Sequence, residues 1–123
     1  MKTGLISSAL VLFVLISGCV NRSSYNIVLK NSGGSEINDA HVSYGDFTSV
    51  GGILSSGIEA THLHPDAPIP AHATVQWRTA DGVLHKQDVD VKSKLPPHFS
   101  GDIYFVIDST NNVTVVPEAM PRL

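Results

Sequence analysis

The stretch Ala73-Thr74-Val75-Gln76-Trp77-Arg78-Thr79-Ala80-Asp81-Gly82-Val83-Leu84-His85-Lys86-Gln87-Asp88-Val89-Asp90-Val91 decides the fold. Apolar and polar side chains alternate on either side of Asp81-Gly82, the period of two that a half-buried strand requires. The faces settle which turn joins the two arms. A two-residue Asp81-Gly82 turn would set Trp77 opposite Lys86 and Val75 opposite Asp88, placing charges on the apolar side. A three-residue Ala80-Asp81-Gly82 turn, with Gly82 left-handed, instead pairs Thr79 with Val83, Trp77 with His85, Val75 with Gln87 and Ala73 with Val89. Lys86, Asp88, Asp90 and Lys92 then face water. The same argument predicts a second hairpin over Asp102 to Val116, with a Ser109-Thr110-Asn111 turn that pairs Ile107 with Val113 and Phe105 with Val115.

Working outward, Ser93 to Gly101 is a long connection suited to crossing from one sheet to another. On the amino-terminal side a strand is expected over Tyr25 to Lys30, stopped by Asn31-Ser32-Gly33-Gly34-Ser35. A second is expected over Ile37 to Tyr44, where Ala40, Val42 and Tyr44 alternate with His41 and Ser43. Gly45 to Gly57 is rich in glycine and serine and reads as a loop, with brief pairing at Ile53-Leu54. Ile58 to Leu63 is a further strand, closed by the proline-rich loop His64 to Pro70. No helical period occurs after Tyr25, and the tail after Pro117 is expected to be loose. The prediction is all-β: a small antiparallel β-sandwich of about seven short strands over 25–116, followed by a flexible 117–123.

The chain opens differently. Met1-Lys2 is followed by an apolar run from Leu5 to Ile16, the length of a secretory signal core and short of the ~20 residues a spanning helix needs. Leu15-Ile16-Ser17-Gly18-Cys19 resembles the bacterial lipobox, an aliphatic residue and two small ones before an obligatory cysteine. That resemblance implies cleavage after residue 18, a lipid on the Cys19 thiol, and a brief tether over 19–24. It also implies sorting by the residue after the cysteine, where aspartate retains a protein in the inner membrane. Here that residue is Val20, so attachment to the outer membrane, facing the periplasm, is expected.

Cys19 is the only cysteine, so no disulfide can brace the domain within the chain. Removing 18 of 123 residues leaves about 105, enough for one small domain. Seven basic against eleven acidic side chains then remain, a formal charge of −4. No basic stripe offers a nucleic-acid site, and membrane attachment is expected through the lipid alone.

The chain has six histidines, and His62-Leu63-His64 has the sharpest spacing. On an extended strand residues two apart share a face, so both rings could meet one Zn or Cu, with His72 or Asp66 completing the shell. The plainer reading is an exposed polar strand edge. His85, opposite Trp77, is either a partly covered titrating imidazole or a satisfied residue at the core rim. No nucleophile elbow, H-E-x-x-H or Walker loop is present. The chain is therefore expected to be no enzyme, with no catalytic residues and no cofactor.

The segment Ile69-Pro70-Ala71-His72-Ala73-Thr74-Val75-Gln76-Trp77 resembles small periplasmic lipoproteins that act as immunity partners of type VI secretion effectors, notably phospholipases. Those proteins often carry a proline a few residues before a tryptophan-bearing strand; this chain lacks the cysteine pair of one common branch. The resemblance implies a non-catalytic protein that neutralises a toxin by inserting loops. Contacts are then expected on Gly45 to Gly57 and His64 to His72, at Asp46, Phe47, Ile53, Leu54, His64, Asp66 and Ile69. Two alternatives stand beside it, an assembly lipoprotein of an envelope secretion machine and a metal-binding lipoprotein centred on His62 and His64.

Overall fold

In the computed structural model, which describes residues 24–120, the turn at Ala80-Asp81-Gly82 has the three-residue form that the face argument demands. Gly82 takes φ +86°, the Thr79 N–H donates to Val83 O at 3.0 Å, and the register pairs Trp77 with His85, Val75 with Gln87 and Ala73 with Val89. The second hairpin also keeps its expected register: Phe105 opposes Val115, Ile107 opposes Val113, and Asn111 supplies the left-handed residue at φ +60°. The signal segment, Cys19, the tether up to residue 23, and 121–123 lie outside the described residues.

The elements run β1 (Tyr25–Asn31), β2 (Ile37–Tyr44), β3 (Phe47–Leu54), β4 (Glu59–Leu63), β5 (His72–Thr79), β6 (Leu84–Asp90), a single 3-10 turn at Lys92–Lys94, β7 (Gly101–Ile107) and β8 (Val113–Ala119). They form two four-stranded sheets, ordered β4-β1-β7-β8 and β3-β2-β5-β6. The 91–100 segment carries the chain from the second sheet to the first, as its length suggested. Between the sheets lie Tyr25, Ile27 and Leu29 of β1, Val42 of β2, Val75 and Trp77 of β5, and Ile103 and Phe105 of β7, each at most 1 % exposed. Burial of this apolar layer holds the fold, at roughly 25 cal/mol per Å² removed from water. The fold is all-β, a small sandwich without a bracing disulfide.

Three expectations require correction. Gly45 to Gly57 is mostly strand: β3 pairs with β2 from Tyr44↔Phe47 to Ile37↔Leu54 through a tight Gly45-Asp46 turn, which raises the strand number to eight. Its period was hidden because Gly51 and Gly52 carry no side chain, and Gly52 at φ +63° sits where the β2 pairing shifts register. Such a bulge is a natural place for glycine. Second, the sandwich is not wholly antiparallel. β1 runs parallel to β7, with Tyr25↔Gly101 through Asn31↔Ile107, while β4 pairs antiparallel on its other side. Third, β8 continues through Pro117 to Ala119. Proline is tolerated there because β8 is an edge strand whose outer side needs no N–H donor.

The strand directions give the sandwich two distinct ends. At one, called here the root end, lie Ser24, the 45–46 turn, the 64–71 loop, the 91–100 connection and Met120. At the other, the turn end, lie the 32–36, 55–58, 80–83 and 108–112 segments.

Candidate functional site

The turn end holds a cleft of about 560 Å³ between the β1–β2, β5–β6 and β7–β8 turns. Each wall is locally determined. Asn31, 1 % exposed at the close of β1, donates from Nδ2 to Ser35 O (2.8 Å) and Leu54 O (3.0 Å), and its Oδ1 accepts from Gly33 N–H (3.0 Å). One buried amide thus ties the first turn to the end of β3. In the β7–β8 turn, Asp108 Oδ1 accepts from Thr110 N (2.9 Å), Thr110 Oγ1 (2.7 Å) and Asn112 N (3.0 Å), an Asx-type cap. In the β5–β6 turn the Thr79 hydroxyl donates to the Asp81 carboxylate. These bonds hold both carboxyls below the ordinary range: Thr110 acts first on Asp108, and Thr79 first on Asp81. With Glu36 they rim the cleft with negative charge.

Half-buried His85 lines the same cleft and stacks on Trp77, centroids 5.3 Å apart and 11° from parallel. The Trp77 indole Nε1 is buried without a hydrogen-bond partner among the described residues. Thr79 Oγ1 comes within 3.4 Å of His85 Nε2, but its proton is directed to Asp81. Ile53, Ile58 and Val83 are exposed at this end, at 68 %, 52 % and 48 %.

The residues expected to make contact are divided between the two ends. Asp46, Phe47, His64, Asp66 and Ile69 belong to the root end, while Ile53 and Leu54 lie at the turn end, where Leu54 is buried in the core. Phe47 is half-buried, its ring packed on Tyr44 (4.9 Å) and edge-on to His62 (4.9 Å). The His62–His64 pair does not form as an extended i, i+2 pair. β4 stops at Leu63, His64 turns left-handed at φ +48°, and its N–H donates to Asn26 Oδ1 at 3.1 Å. His72 is paired with Asp90 at 2.8 Å on β6. Among the described residues no group of three or more His, Cys, Asp or Glu converges as a metal shell.

Glu36, Asp81, Asp108 and His85 were not chosen together by sequence reasoning. Asp81 was legible as a turn residue, but that these turns share one end follows only from the strand directions. The root end is fastened by a second buried device: the Tyr25 hydroxyl donates to Ala67 O at 2.7 Å and lies 2.6 Å from the Tyr44 hydroxyl. Among the described residues no helix is long and apolar enough to cross a membrane.

No family model matches the chain, and no curated protein matches it. Among solved structures, the NMR structure of a protein from Eubacterium rectale is similar, with 17 % sequence identity, a TM-score of 0.52, and coverage of 81 % of this chain and 93 % of that one. The likeness is one of fold.

Proposed function

We propose that this chain is a lipid-anchored protein of the outer membrane's periplasmic face that acts as a non-catalytic protein-binding module, an immunity protein that neutralises a type VI secretion effector of the phospholipase kind. The observation that carries the reading is the opposition of the two ends. The chain enters β1 from Ser24 at the root end, and the acidic cleft, with exposed Val83 in its lining, lies at the other. An anchored inhibitor needs this division, because the surface that meets the partner must stay clear of the membrane. Confinement to the bilayer on which a lipase acts would raise the local concentration of the inhibitor.

The lipid requirement rests on the lipobox-like Leu15 to Cys19, and the partner class on the Ile69 to Trp77 resemblance. A single experiment addresses the binding claim. The chain from Cys19 onward, immobilised through its own thiol, is challenged with the effector encoded beside its gene, and phospholipase activity is read with and without it. Inhibition that is lost in a Glu36→Lys, Asp81→Lys variant supports the reading. Undiminished effector activity at saturating protein overturns it.

A further inference from the structure

We infer that the root end of the sandwich rests on the bilayer surface, with the groove between the 64–71 loop and the 91–100 connection turned toward the lipid. The inference rests on the Cys19 lipidation reading. From Cys19 to Ser24 there are five residue steps, which reach at most about 18 Å in any conformation. β1 is seven residues long and runs away from Ser24, so the turn end lies roughly 20 Å further on. A tether this short cannot double back along the sandwich and bring the turn end to the membrane. The root end can reach it without extending the tether fully.

The surface at the root matches that placement. Ser24 O accepts from Gly101 N–H (3.3 Å) and Ser100 Oγ (2.9 Å), while Met120 N–H donates to Ser100 O (3.1 Å). Met120, 44 % exposed, is thereby fixed beside the point where the tether joins. Leu63, 65 % exposed, ends the neighbouring strand opposite Asn26. The groove of about 540 Å³ is walled by Pro68, Ile69, Leu95, Pro96 and Pro97 over buried Phe99, with Lys92 beside them. Apolar walls beside an ammonium group suit the boundary between headgroups and acyl chains. Because every core side chain comes from residues 25–115, the chain from Cys19 onward contains the whole described core.

The test uses that chain coupled through the Cys19 thiol to a maleimide lipid in nanodiscs of phosphatidylethanolamine and phosphatidylglycerol. A gadolinium-chelate lipid is included, and amide resonances are followed by NMR. Loss of the Leu63, Lys94 and Met120 signals with retention of Gly34, Asp81 and Asn111 is expected. A Leu63→Asp, Met120→Asp variant, altered only at exposed positions, should lose that contrast while keeping its spectrum of core resonances. Equal loss at both ends, or earlier loss on the outer face of β5 and β6 at Gln76 and Lys86, overturns the inference. The intact mass of the protein extracted from cells is measured separately. An unlipidated Cys19 defeats the anchoring reading, whereas the imposed tether still reports which end the bilayer meets.

Discussion

Tyr25 and Tyr44 place their hydroxyls 2.6 Å apart, joining the first residue of β1 to the last of β2 across the two sheets. Since the Tyr25 proton goes to Ala67 O at 2.7 Å, the Tyr44 hydroxyl donates to Tyr25 oxygen. Burial pushes both phenols up, and at Tyr44 the bond to Tyr25 raises it further. A folded-state value above the unfolded one stabilises the neutral form. That stability is whole below about pH 10 and is lost as pH rises beyond it. Of the three tyrosines, Tyr25 and Tyr44 should therefore stay un-ionised until the domain unfolds in alkali. Tyr25→Phe is expected to cost about 1–2 kcal/mol at neutral pH and to speed amide exchange at Ala67 and Ile69. Unchanged exchange in that loop would remove Tyr25 as its fastener.

Asn31 is the corresponding fastener of the turn end. Asn31→Leu keeps the volume but strands two carbonyls and one N–H, for an expected loss of about 2–4 kcal/mol. In a domain of this size that lowers Tm by on the order of 10–20 °C. Thermal unfolding by circular dichroism measures it, and a shift within a degree or two would show that water replaces the amide without loss.

The acid limb of stability should belong in part to Asp108 and Asp81. Their carboxyls are held low in the fold by turn hydrogen bonds, so the contribution is present above the unfolded value near 3.8 and is lost as pH falls through the folded values. Asp108→Asn is expected to lower stability at pH 7 more than at pH 2, flattening the profile. Denaturant midpoints at the two pH values decide it, and parallel profiles would deny the turn its charge dependence.

Trp77 is the single tryptophan, which makes its emission a clean reporter. His85 covers it by stacking, so His85→Ala should admit water to the indole and shift emission to the red, at a cost of about 1 kcal/mol. The Trp77 Nε1 group, unpartnered among the described residues, gains access to solvent in that variant. An emission maximum identical to the parent's would mean that the ring is sealed by other side chains.

Gly101 has φ +145°, and an added Cβ would collide with the Glu118 carbonyl across the β7–β8 pair. Gly101→Ala should destabilise by about 2 kcal/mol or more, since neither the backbone angle nor the neighbouring strand can yield cheaply. Equilibrium unfolding in urea measures this, and a loss below half that size would show that β8 moves aside.

The two hairpins were legible in the residues because period-two alternation and the choice of turn are local: Trp77 can oppose His85 or Lys86, and only one choice keeps charge off the apolar face. The all-β class followed from the same alternation. β3 is illegible because glycine has no side chain to display a period, and nothing local announces the left-handed turn at His64 that keeps His62 and His64 from forming an extended i, i+2 pair. The parallel β1–β7 pairing joins residues some 76 positions apart, as in Asn26 and Asp102, and is set by the closing of the sheet. Only that long-range packing brings the Asn31, Asp81 and Asp108 turns to one end and sets Ser24 and Met120 together at the other. Alternation along a strand determines which face is buried, whereas which strand ends share a surface depends on how all the strands pair, because neighbours in space there are distant in the chain.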